Sequence, residues 1–151
     1  MPKPASLHSG DRFTEVACDL LRSGLAIRFS APGTSMSPII RDGETIRVQP
    51  VDRNEICRGD ILLYRWERGV RAHRVAAIEA GEQGRPVFIL RGDAGGEDEH
   101  VPAKKILGRV TSVERDGRPI RLRGPAAFAR RALRRGASRI VQAYRKSLAA
   151  R

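Results

Sequence analysis

Ser35 lies in a stretch dense in turn formers, Ala31-Pro-Gly-Thr-Ser-Met-Ser-Pro-Ile-Ile-Arg-Asp-Gly-Glu. Gly33 lets the backbone bend sharply just before the hydroxyl, and Pro38 stiffens the exit. A serine projected from a strand end among free backbone amides has the geometry of a nucleophile. It would need a base, and the chain has three histidines: His8, His73 and His100. His73 sits in Val70-Arg-Ala-His-Arg-Val-Ala-Ala-Ile, where alternation puts Val70, Ala72, Arg74 and Ala76 on one face of a strand and His73, Val75 and Ala77 on the other. Asp93, Glu97, Asp98 and Glu99 follow a Gly-Asp turn, and a carboxylate among them could orient an imidazole and stabilise its protonated form. Each feature also has a plain structural reading: serines hydrogen-bonded within a loop, a strand histidine in a core, and a solvated acidic loop.

The elements that would position these groups are mostly strands. Phe13, Val16, Ala17, Leu20 and Leu21 recur at helical spacing and predict an amphipathic helix over 11–23, with Ser9 as cap and Gly24 as stop. Short β-like runs follow at 25–29, 44–48, 60–65, 71–78, 87–91 and 106–113, divided by turn signals at 41–43, 58–60 and 92–96. The fold class this predicts is mainly β, a compact coiled barrel or sandwich. A basic helix is expected over 126–148. Its apolar stripe would hold Phe128, Leu133, Ile140, Val141, Tyr144 and Leu148, although Gly136 interrupts it. The expected organisation is a helical segment over 1–24, a β domain over 25–114 and a basic segment over 115–151.

The net charge of +12 is unevenly placed. Residues 1–114 hold 17 basic and 16 acidic residues, whereas 115–151 hold 12 basic residues and one acid, Asp116. The tail therefore reads as a polycation suited to an anionic membrane surface, with nucleic acid a weaker match in the absence of a known binding fold. Cys18 and Cys57 are 39 positions apart with no Cys-x-x-Cys pair, which argues against a disulfide framework or a zinc site. No apolar run approaches the roughly 20 residues needed to span a bilayer, and the first residues lack the apolar core of a secretory signal. The expected location is the cytoplasm, including the inner membrane surface.

Taken together, Gly-Thr-Ser-Met-Ser-Pro (33–38), Arg-Asp-Gly-Glu (41–44), Arg-Gly-Asp-Ile-Leu (58–62), His-Arg-Val (73–75), Leu-Arg-Gly-Asp (90–93) with Asp98, and Ile-Leu-Gly-Arg-Val (106–110) resemble, in order, the type I signal peptidases. The catalytic fold of that family is shared with the LexA-like self-cleaving peptidases. The resemblance covers about residues 27–112, and His-Arg-Val is similar to the archaeal and endoplasmic-reticulum branch, which uses histidine where most bacterial members use lysine.

The resemblance implies a serine endopeptidase that needs no metal or other cofactor and acts on a peptide or protein substrate. Ser35 would be the acyl-forming nucleophile, His73 its base, and Met36 part of the cleft wall. The Ser35 N–H would be an oxyanion donor. The acidic partner has two candidates, Asp93 and Asp98; the match to the family's downstream acidic pair falls on Asp98 or Glu99, Asp98 is preferred, and Asp93 is read rather as a turn-forming residue. The chain departs from the family in having Gly33 where an oxyanion-hole serine often stands, with Thr34 as a substitute. It also shows no transmembrane anchor, no helix-turn-helix domain and no self-cleavage site. Two other functions are compatible with these features: a peptide-binding adaptor with weak or no turnover, and a regulatory module acting through its basic tail.

Overall fold

The computed structural model describes residues 9–67 and 69–122. The basic segment expected to be helical over 126–148, and His8, lie outside them.

Helix α1 spans Ser9–Arg22 and begins two residues before the expected start. It ends in a left-handed glycine cap: Gly24 has φ +83°, its N–H donates to the Leu21 carbonyl, and the Leu25 N–H donates to that of Leu20. The buried stripe is Thr14, Ala17, Cys18 and Leu21, while Val16 is 58% exposed. The seating is thus rotated from the expected one. Thr14 can enter the interface because its hydroxyl donates to the Gly10 carbonyl within the helix (2.8 Å). Phe13 remains at the edge, packed against Phe29 with ring centroids 4.8 Å apart.

Eight strands form a mainly β fold, a single curled antiparallel sheet resembling half a barrel. They are β1 (Ile27–Ser30), β2 (Thr45–Gln49), β3 (Ile61–Trp66), β4 (Gly69–Ala80), β5 (Pro86–Arg91), β6 (Glu99–Pro102), β7 (Ile106–Arg115) and β8 (Arg118–Arg121). Six of these match the runs expected from sequence to within two residues at either end. β6 and β8 were not expected, since neither four-residue segment shows a clear alternation. The sheet also runs past residue 114, so Arg115, Arg118 and Arg121 belong to its strands.

The strand order is β1-β2-β7-β3-β4-β5-β6, with β8 also on β7. The β1–β2 hairpin and the β3–β6 meander are therefore joined in the strand ladder through β7. Bulges at Arg47/Val48, Leu63/Tyr64 and Val75/Ala77 supply local bends for the curl. Both faces are buried, so β3 reads Ile-Leu-Leu-Tyr without a polar residue. Leu63 joins Met36, Ile40, Ile46, Val48 and Val110 on one face, under α1. Leu62 and Tyr64 join Val75, Phe88, Leu90 and Val101 on the other. Among the described residues, no helix is long and apolar enough to cross a membrane.

Candidate active site

The loop between β1 and β2 carries Ser35. Its neck is closed by the Ala31 N–H donating to the Glu44 carbonyl and the Gly43 N–H donating to that of Ala31, both 2.9 Å. Gly33 turns with φ +105°, a left-handed conformation that favours glycine, and its N–H donates to Asp42 Oδ1 (2.7 Å). Met36 and Ile40 are each 4% exposed and plug the loop into the core, leaving Gly33, Thr34 and Ser35 in solvent. Arg115, at the end of β7, clasps the loop from outside. Its Nε donates to Glu44 Oε1 (2.6 Å) and its Nη2 to the Ile39 carbonyl (3.3 Å). The Arg115 hydrogen bond, helped by the Arg41 N–H, lowers the Glu44 pKa to about 2.

His73 stands on the opposite wall and is buried, 6% exposed. The register pairs Leu62 with His73 and Tyr64 with Arg71, so these four side chains share one face of the sheet. Tyr64 Oη lies 3.2 Å from His73 Nδ1 and donates to Glu99 Oε2 (2.5 Å). The other oxygen of Glu99 accepts from Arg71 Nη1 (2.5 Å), and the Arg71 guanidinium lies 4.1 Å from the Trp66 ring centroid. Burial holds the His73 pKa below its ordinary value, with Glu99 acting in the opposite direction and Arg71 reinforcing the depression. The imidazole is therefore neutral at neutral pH. Its Nε2 is buried and has no hydrogen-bond partner among the described residues.

The two walls meet at the turn after β5. The Ala94 N–H donates to the Ser35 carbonyl (3.0 Å), and the Asp93 N–H to Met36 Sδ (3.5 Å). A Cβ on Gly92 would lie 2.6 Å from the Ser35 carbonyl oxygen and 3.4 Å from His73 Nε2. Gly92 thus sits between the backbone of the serine and the free nitrogen of the histidine, where no side chain fits. A two-pronged pairing of Arg74 with Asp93, at 2.7 Å for each prong, holds this turn in place.

Ser35 and His73 both line a groove of about 520 Å³, floored by Ile40, Ile46 and Leu63 and walled by Phe29 and Val70. One rim of the groove is backbone. β4 pairs with β5 from Arg74 onward, so among the described strands Gly69–His73 pair with β3 alone and leave their other edge unpaired.

Of the residues singled out from sequence, Gly33, Thr34, Ser35, Met36 and His73 come together in this groove. Asp98 does not join them: it is exposed and gripped by Arg91, at 2.5 and 2.9 Å. The carboxylate beside the imidazole is its neighbour Glu99, because β6 pairs Glu99 with the buried Leu90 and so turns it inward. Tyr64, Arg71, Gly92 and Arg115 were not singled out as site residues. The register that pairs Trp66 with Gly69 sets Tyr64 opposite Arg71, a closeness not visible in expected strands that end at 65 and resume at 71. Comparison with protein-family models and with curated proteins returns no match.

Proposed function

We propose that the chain is a serine endopeptidase of the signal-peptidase-like kind, cleaving a peptide or leader segment through an acyl-enzyme on Ser35. The observation that carries this reading is the buried Nε2 of His73, which has no hydrogen-bond partner among the described residues and is separated from the Ser35 backbone by a glycine that leaves no room for a side chain. The order of sequence motifs supports the same reading independently.

In the proposed reaction the substrate adds as a strand along the open edge at Gly69–His73, with small apolar side chains entering the floor of the groove. His73 Nε2 takes the Ser35 Oγ proton as the oxygen attacks the scissile carbonyl, then returns that proton to the departing amine. In the free protein the two groups are not hydrogen-bonded. The mechanism requires the exposed Ser35 hydroxyl to come within hydrogen-bond distance of Nε2 once substrate is seated. The Ser35 N–H, which donates to no other group among the described residues, would bind the oxyanion.

The test is to incubate wild type, Ser35→Ala and His73→Ala with a proteome-derived peptide library, with and without anionic vesicles. New N-termini are expected from wild type, with each variant at least about 10²-fold slower. Cleavage that persists in Ser35→Ala rejects the mechanism. No cleavage by any form, with peptide binding retained, would leave an adaptor.

A further inference from the structure

The hydrogen bonds around His73 determine where its proton sits. A phenol has one proton to give, and a carboxylate only accepts. Tyr64 is 2.5 Å from Glu99 Oε2, so its proton is committed to that bond. The 3.2 Å contact between Tyr64 Oη and His73 Nδ1 must then be an Nδ1–H donating to the phenol oxygen. A neutral imidazole has a single N–H, which leaves Nε2 as a bare lone pair facing the Ser35 turn. Direct contact with Glu99 does not account for this, because Nδ1 is 3.7 Å from Oε1 and that oxygen already accepts from Arg71.

We propose that Tyr64 is a positioning residue that fixes the tautomer of His73 and couples the imidazole to Glu99 through its hydroxyl. In role it replaces a carboxylate bonded directly to the histidine. The inference deepens the peptidase reading and rests on it for its catalytic consequence, but the tautomer itself is a property of the resting protein. During acyl transfer the Ser35 proton moves to Nε2 while the Oγ electron pair forms the bond to carbon. The imidazolium keeps its Nδ1–H on Tyr64. On collapse the Nε2 proton leaves with the amine.

The experiment is ¹⁵N NMR of histidine-labelled full-length protein in a His8→Gln, His100→Gln background, so that His73 alone is observed. The expected spectrum shows a protonated Nδ1 and an unprotonated Nε2 at neutral pH. In Tyr64→Phe the proton is expected to move to Nε2 or to divide between the nitrogens. A wild-type ring protonated on Nε2, or a tautomer unchanged in Tyr64→Phe, overturns the proposal. Glu99→Gln provides a second reading if Tyr64→Phe does not fold. The charged groups around His73 are Glu99, Arg71 and Asp93, and removing the negative charge of Glu99 is expected to lower the imidazole midpoint further. An unmoved midpoint overturns the coupling. In peptide cleavage, Tyr64→Phe is expected to lower kcat roughly 10²-fold with KM unchanged. A wild type that fails to cleave but shows the Nδ1–H tautomer rejects the peptidase reading and leaves the positioning role of Tyr64 intact.

Discussion

Ser35 is exposed on the loop of a two-strand hairpin, whereas His73 is sunk in the face of a four-strand meander. The hairpin shapes its loop locally, with a left-handed glycine, a carbonyl at the loop neck and the Asp42 carboxylate. The meander shapes its histidine through partners drawn from residues 64, 71 and 99, which meet only when the four strands β3–β6 find register. The exposed group is free to rotate and meet a substrate. The buried one has a fixed environment that keeps it neutral. On the proposed peptidase reading, this division would suit a nucleophile that must move and a base that must wait in one protonation state.

The most damaging way to break this arrangement is at the seam. Gly92→Ala places a methyl group against the Ser35 carbonyl, a backbone atom with little freedom to retreat. It is expected to reduce kcat/KM by 10²-fold or more while costing about 1–3 kcal/mol of stability, read from kinetics and urea unfolding. Near-wild-type cleavage in this variant would show that the two halves need not touch to react.

A change of pH separates the halves more gently. Burial keeps the His73 pKa below its ordinary value of 6.5, so the folded chain holds that proton less readily than the unfolded chain does. The stability that comes from burying a neutral ring is fully present above about pH 6.5 and is lost as the pH falls through the folded value. The acid limb of kcat/KM should accordingly have its midpoint below 6.5. A midpoint above 6.5 would mean that the charge of Glu99 outweighs burial.

The smallest effect is expected at Asp98→Asn. It removes an exposed pairing with Arg91 and should leave both cleavage and the unfolding midpoint at wild-type values. A large loss of cleavage would return Asp98 to the role first read from the sequence.

The contrast also explains what could be read from the chain before its structure. The Ser35 loop was legible because its shape depends on neighbours such as Gly33 and Pro38. Six of the strands were legible because their apolar runs and the turns that divide them are local too. The acid was not. Asp98 and Glu99 are chemically alike and adjacent, and what separates them is the β5–β6 register that sets Glu99 opposite Leu90 and leaves Asp98 to Arg91. Tyr64 looked like one more apolar residue of a buried strand, and its hydroxyl gained a role only when β4 and β6 came alongside. Gly92 carries no positive φ to mark it out, and only the approach of the Ser35 carbonyl shows why it must be glycine.

The position of β7 has a consequence in time. Synthesis delivers Ser35 first, then His73, then Glu99, and only afterwards the strand at Ile106–Arg115 that stitches the hairpin to the meander and brings the Arg115 clasp. A growing chain that already contains every reacting group therefore still lacks the sheet that faces them toward one another. On the proposed peptidase reading, hydrolytic competence would arrive only after nearly the whole described fold has been made.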